Sequence, residues 1–197
     1  MREVELKAVV DDWDGRRARV ERAGGTLTFA GRLEDRRYDT PGRTLARRDE
    51  VLRLRLYRDG PRARAELGWK GATSREDGYK VREELAAGIV DAESLARVLE
   101  HLGYVITHAI DREIAQYSLG GAIVRFERYP RMDDLVEVEG APEAIDAAIA
   151  ALGISRAAFT PERLRDFVAR YEAREGTRAA LSDAELTGAA TYDREDA

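Results

Sequence analysis

The sequence predicts an α+β fold in which an eight-stranded antiparallel β-barrel carries a few helices packed on its outside. Two observations predict it. About eight segments alternate polar and apolar residues with the period of a strand, and few helical segments separate them. In strand after strand, the charged residues share one face and the apolar residues the other. Eight antiparallel strands can close on themselves, which removes the edges that an open sheet exposes.

The elements follow in order along the chain. Glu3, Glu5 and Lys7 alternate with Val4, Leu6 and Ala8, which is strand periodicity. Asp11 or Asp12 can cap a helix that places Trp13, Val20 and Ala23 on one stripe and ends at Gly24-Gly25. Residues 26–39 read as one or two strands leading into the turn Asp39-Thr40-Pro41-Gly42. Val51–Tyr57 alternates again, and the turn Asp59-Gly60-Pro61 returns the chain as a hairpin over 62–70. A polar loop over 71–78 precedes a strand from Tyr79 to Leu85. A second helix starts near Asp91, carries Leu95, Val98, Leu99 and Leu102, and closes at Gly103. Strand, helix and glycine thus occur twice, around 3–25 and 81–103, hinting at two related halves. Strands follow over 104–117, 122–129 and 134–140. Pro142 then opens a helix, and Thr160-Pro161 opens a last one with Leu164, Phe167, Val168 and Tyr171 at helical spacing. The expected organisation is one domain over residues 1–175 and a mobile acidic tail over 176–197.

Composition narrows the function. Hydrophobic residues make up 44% of the 197, enough for a core, and charged residues 36%, against roughly 25% in an ordinary domain. The excess charge needs a place, and a functional interior is one. A net charge of -5 argues against general nucleic-acid binding. The absence of cysteine excludes disulfides and thiolate metal sites. No apolar stretch approaches a membrane span, so a cytoplasmic protein with no membrane partner is expected. Lysine occurs only at positions 7, 70 and 80, which makes each lysine a stronger signal than any of the many arginines.

The charged faces are Glu3/Glu5/Lys7, Arg53/Arg55, Lys80/Arg82/Glu84, Arg125/Glu127 and Glu137/Glu139. Each alone could be a solvated face. Together, with apolar opposite faces for the helices to cover, they are expected to converge inside the barrel. A dry interior of this kind would cost several kcal/mol per unpaired ion. A wet one with matched charges is tolerable: paired carboxylates can hold hard divalent cations, and arginine and lysine can hold phosphate oxygens. One cavity with both kinds of group suits a metal–polyphosphate complex. Glu3 and Glu5, roughly 6.5 Å apart along the strand, could flank one metal or serve two.

These residues resemble the CYTH superfamily of triphosphate tunnel metalloenzymes. Glu3-Val4-Glu5-Leu6-Lys7 matches its opening ExExK signature. Tyr38-Asp39-Thr40-Pro41 with Leu52-Arg53-Leu54-Arg55 is similar to its YDTP…LRxR block. Trp69-Lys70-Gly71, Arg82-Glu83-Glu84 and Leu135-Val136-Glu137-Val138-Glu139 resemble its later strands. The resemblance covers residues 1–171 and is nearest the class IV adenylate cyclase-like branch. It implies a triphosphate tunnel with Mg²⁺ or Mn²⁺ as cofactor. Glu3, Glu5, Glu127, Glu137 and Glu139 would be metal ligands. Lys7, Arg53, Arg55, Lys70, Arg82 and Arg112 would line the triphosphate path, with Lys7 and Glu5 closest to the chemistry. Ile110 stands where the family usually has the lysine of a Lys-x-Arg pair, so either Arg112 or Arg125 fills that basic position. The His-Phe pair that precedes ExExK in some bacterial cyclases is missing.

Three functions are open on this reading. The first is hydrolysis of tripolyphosphate, a nucleoside triphosphate such as ATP, or thiamine triphosphate. The second is cyclisation of ATP to cyclic AMP and pyrophosphate, and the third is non-catalytic sensing of polyphosphate or nucleotide. The missing His-Phe pair and the altered Lys-x-Arg lean toward hydrolysis. Homodimers occur among similar proteins, so one is possible here. Elsewhere, His101 reads as structural, His108 as a candidate for the tunnel mouth, and Trp13 and Trp69 as packing residues. Arg16–Arg22 reads as a solvated helix face.

Overall fold

The computed structural model describes residues 2–193. The strands are β1 (Arg2–Val9), β2 (Thr26–Asp39), β3 (Val51–Asp59), β4 (Arg62–Lys70), β5 (Ser74–Glu76), β6 (Tyr79–Ile89), β7 (Val105–Leu119), β8 (Ala122–Arg128) and β9 (Leu135–Glu139). Eight of these pair antiparallel in the order β1-β9-β8-β7-β2-β3-β4-β6, and β6 pairs back onto β1. The closed barrel expected from the alternation is therefore present. The loop over 71–78 adds β5, which pairs with β6 outside the ring. Residues 26–39 form a single strand, bent by register shifts at Leu27/Phe29 and Arg37/Tyr38 where it pairs with β7.

Helices cover the outward faces. The helices α1 (Trp13–Arg22) and α3 (Pro142–Leu152) lie over β1, β8 and β9, burying Leu6, Ala8, Val124, Phe126, Val136 and Val138 against Val20, Ile145, Ile149 and Leu152. Asp12 caps α1 by accepting from the Gly15 amide. Arg16 is more than a solvated residue: its Nη1 donates to the Leu152 and Gly153 carbonyls, which are orphan acceptors at the end of α3. Trp13 packs edge-on against Phe126 at 5.6 Å. The helix α2 (Ala92–His101) sets Leu95 and Leu99 over Leu52, Leu54, Leu67 and Tyr38.

The last long helix, α4, runs Leu164–Glu175. It begins later than Thr160-Pro161 suggests because Thr160 is tied to β1: its amide and carbonyl both bond the Lys7 backbone. Leu164, Phe167 and Val168 of α4 pack on Ile110, Tyr129 and Leu135, which project on the same strand faces as the charged residues. Part of the inward surface is thus apolar, and α4 seals it.

The segment expected as a loose tail after residue 175 is packed in its first part. Ala179, Ala180 and Leu181 are buried, Leu181 in the same cluster as Phe167. The Asp111 amide donates to the Leu181 carbonyl at 2.7 Å, Ala180 bridges Arg131, and a short helix, α5 (Asp183–Leu186), follows. Composition fails here because long-range contacts, not periodicity, bury these residues. The rest of that expectation, residues 194–197, lies outside the described residues. Among the described residues no helix is long and apolar enough to cross a membrane.

Candidate functional site: a charged lumen

Strand alternation delivers the charged residues to one place. Glu3, Glu5, Lys7, Arg53, Arg55, Lys70, Arg82, Arg112, Glu127 and Glu137 are all buried, each 8% exposed or less, and Glu139 and Arg125 are half-buried. Their apolar neighbours in sequence, such as Leu6, Leu54, Val124 and Val138, face the helices. The register explains the convergence. Glu5 stands opposite Glu139 and Lys7 opposite Glu137 across β1 and β9, while Glu3 and Glu5 face Arg82 and Lys80 across β1 and β6.

The lumen encloses a cavity of about 410 Å³. Lys7, Lys70, Arg53, Arg112 and Arg125 reach its wall from five strands, together with Glu5, Glu127 and Glu137. Arg55, Glu3 and Glu139 lie outside that lining.

Three carboxylates come together. An oxygen each from Glu3, Glu137 and Glu139 lies within 4.8 Å of the others, a donor set of hard oxygens that fits a divalent cation such as Mg²⁺ or Mn²⁺. Burial and the charges of Glu137 and Glu3 push Glu139 up to about 7. Burial and the Glu5 charge also raise Glu3, against the pull of Lys70. Such crowding is what a bound cation relieves.

The other two expected ligands are engaged elsewhere. Glu5 accepts from Lys7 at 2.7 Å and pairs with Lys80; burial would raise its carboxyl, but Lys7, Lys80 and Lys70 hold it well below the usual range. Glu127 accepts from the Tyr129 hydroxyl at 2.6 Å and lies 3.4 Å from Arg112.

The basic residues hold carboxylates in the same lumen. Lys70 pairs with Glu3, Lys7 with Glu137, and Arg125 with Glu137 at 2.9 Å. Arg53 bonds Glu84 at 2.7 Å and Arg55 bonds Glu66. Arg82 is committed to the loops, donating to the carbonyls of Gly71 and Asp49. Burial alone would lower Lys7, yet Glu137, Glu5 and Glu127 raise it, so it stays an ammonium ion. The Nε donors of Arg53 and Arg55 are buried without a hydrogen-bond acceptor, and Arg112 Nε has only the 3.4 Å ion pair with Glu127.

Sequence reasoning missed several lumen residues. Asp35 and Arg37, on the inward face of β2, both line the cavity, as does Tyr129. Glu66 and Glu84 supply counter-charge to the arginines. At the mouth, Asp39 accepts from the amides of Thr40, Leu45 and Ala46 and so folds the loop that carries Arg43 and Arg47. His108 is fully buried with its ring 5.4 Å from that of Tyr192. It was not found at the cavity wall, where its neighbour Thr107 stands.

The family model for the CYTH domain matches residues 1–152. No curated protein matches the sequence. Among solved structures, a Vibrio parahaemolyticus protein provisionally described as an adenylate cyclase is similar at 21% identity and a TM-score of 0.72, covering 85% of this chain and 97% of its own. A Pyrococcus horikoshii protein is similar at 21% identity and 0.69, covering 89% and 99%. A provisional adenylyl cyclase from Hippeastrum, described as revealing a dominant triphosphatase activity, is similar at 16% identity and 0.60, covering 92% and 98%. At these identities the structures support the fold alone.

Proposed function

The chain belongs to the CYTH domain family, and from that premise we propose that it is a divalent-metal-dependent hydrolase of a triphosphate, whether tripolyphosphate, a nucleoside triphosphate or thiamine triphosphate. One observation carries this reading: a cluster of three inward carboxylates meets, at Glu137, a cavity walled by lysine and arginine donors. Neither a simple anion nor a simple cation would need both.

Glu3, Glu137 and Glu139 would hold Mg²⁺ or Mn²⁺, with Glu5 and Glu127 as neighbouring carboxylates. The bound ion would neutralise phosphate oxygens and lower the pKa of the attacking water. The protein's own residues do the rest. Arg53, Arg112 and Arg125, with Lys70, grip the non-bridging oxygens, the Arg53 Nε–H offers a fixed donor, and Arg55 adds positive charge from behind the cavity wall. Arg82 supports the loops and adds positive charge beside them. Lys7 keeps its proton and stabilises the charge that builds on the transferred phosphoryl group, while Glu5 fixes Lys7 in place. Water adds to the terminal phosphorus and gives up a proton, the bridging P–O bond breaks with its electron pair on the diphosphate oxygen, and orthophosphate and the diphosphate product leave.

Hydrolysis is preferred to cyclisation because a cyclase also needs a surface for base and ribose. The cavity wall offers two aromatic rings among the described residues, Tyr38 and Tyr129, and Tyr129 is committed to Glu127. The deciding experiment incubates the protein with ATP and, separately, tripolyphosphate in Mg²⁺ or Mn²⁺ and separates the products. Orthophosphate supports the proposal. Cyclic AMP with pyrophosphate replaces it with cyclisation, and binding without turnover replaces it with a sensor.

A further inference from the structure

Tyr129 joins the apolar seal of the barrel to its charged lumen. It follows β8, is buried, and its ring belongs to the cluster that α4 closes, with Ile110, Leu135, Leu164 and Phe167. It also lines the cavity, and its hydroxyl donates to Glu127 Oε2 at 2.6 Å. Tyrosine suits such a boundary, because apolar neighbours satisfy the ring while the hydroxyl needs a polar partner.

The other oxygen of Glu127, Oε1, lies 3.4 Å from Arg112 Nε. Glu127 is 2% exposed, and a carboxylate so buried is costly unless donors and positive charge surround it. Here the hydroxyl serves one oxygen and the guanidinium the other. Arg112 has a second, looser partner in Asp35, 3.8 Å from its Nη2, and its Cζ stands 5.9 Å from the centre of the Tyr129 ring. The result is a chain from hydroxyl to carboxylate to guanidinium, with α4 holding its first member.

The two links of that chain differ in kind. The contact between Glu127 and Arg112 is an ion pair without hydrogen-bond geometry, so it attracts without setting an angle. The contact between Tyr129 and Glu127 is a short, charge-assisted hydrogen bond, which does set one. The direction in which Glu127 faces is therefore fixed from the tyrosine side. We propose that Tyr129 is a positioning residue: its hydroxyl turns Glu127 onto Arg112, and the carboxylate so held aims the Arg112 guanidinium at the phosphate chain. The proposal rests on the triphosphate reading above and adds to it an uncharged residue whose placement depends on α4.

Calorimetric titration of tripolyphosphate in EDTA, which keeps divalent ions away, tests this on wild type, Tyr129→Phe, Arg112→Gln and the double variant. Phenylalanine keeps the ring in its cluster and removes only the hydroxyl. Arg112→Gln should weaken binding by about 10-fold or more, and Tyr129→Phe by about 3- to 10-fold. In the Arg112→Gln background, Tyr129→Phe should cost less than about 2-fold, because the group it orients is already gone. Thermal melting checks that each variant is folded; should Tyr129→Phe fail to fold, Tyr129→Leu, which also lacks the hydroxyl, makes the same comparison. Should binding in EDTA be too weak to titrate, KM for tripolyphosphate in Mg²⁺ is compared across the same variants. Binding that Tyr129→Phe or Arg112→Gln leaves unchanged, or that Tyr129→Phe tightens, overturns this inference and leaves the triphosphate reading standing. An equal loss from Tyr129→Phe in both backgrounds does the same, since a tyrosine that merely supports the barrel would give it. A wild type that neither binds tripolyphosphate nor turns it over in Mg²⁺ overturns both.

Discussion

Lys7 Nζ donates to Glu5 Oε1 at 2.7 Å, two positions back along the same strand, and pairs with Glu137 from the neighbouring strand. The ammonium ion is therefore fixed between two carboxylates before any ligand arrives. Lys7→Met should lower kcat for tripolyphosphate in Mg²⁺ by about 10²-fold or more, the usual scale for one transition-state charge contact. Melting curves separate this from loss of fold. Turnover within a few-fold of wild type would remove Lys7 from the chemistry.

Metal affinity should depend on pH through Glu139. Its carboxyl is pushed up to about 7, so below that pH the group holds a proton that a cation must displace. Affinity for Mn²⁺ should rise with pH, by about 10-fold between pH 6 and 8. Glu139→Gln should bind more weakly and with a flatter pH dependence. Titration calorimetry reads both, and an unchanged slope in the variant would place the proton elsewhere.

Glu84 should stabilise the barrel at neutral pH. Burial would raise its carboxyl, but Lys70, Arg53 and Arg55 lower it to about 2. A carboxyl with a lowered folded-state value contributes stability that is present above about 4.5 and lost as pH falls toward 2. The contribution is on the order of 2 kcal/mol once partial solvent screening is allowed for. Urea unfolding of wild type and Glu84→Gln at pH 7 and pH 3 measures it: the gap between them should narrow in acid. A gap independent of pH would contradict the assignment.

Leu181 ties the C-terminal segment to α4. It is fully buried beside Ile110, Leu164 and Phe167. Leu181→Ala should destabilise the protein by about 2–4 kcal/mol, as buried leucine truncations do. A change below about 0.5 kcal/mol, the scale of a surface substitution, would mean that the segment contributes no packing.

Much of the barrel was legible because its strands separate charge from apolarity residue by residue. Glu3-Val4-Glu5-Leu6-Lys7 and Leu52-Arg53-Leu54-Arg55 announce both a strand and its inward face. The strand β2 announces less: Asp35 and Arg37 alternate with Glu34 and Arg36, so both faces are polar and no face stands out. That is why these two lumen residues escaped notice. The grouping of Glu3 with Glu137 and Glu139, rather than with Glu5, depends on how side chains turn within the lumen. Spacing carries no such information. Ala179-Ala180-Leu181 is too short a run to show a period, and its burial depends on residues far away in sequence.

Positions 7, 70 and 80 hold every lysine of the chain, and all three are buried in the barrel interior. An amine-directed acylating reagent therefore finds, apart from the chain terminus, a single chamber to modify and no background from the exterior. Each of these amines is also held against a glutamate carboxylate, and so is hard to reach until that pairing opens. The speed of labelling becomes a gauge of how often the interior loosens, and any occupant that keeps reagent out will register as protection.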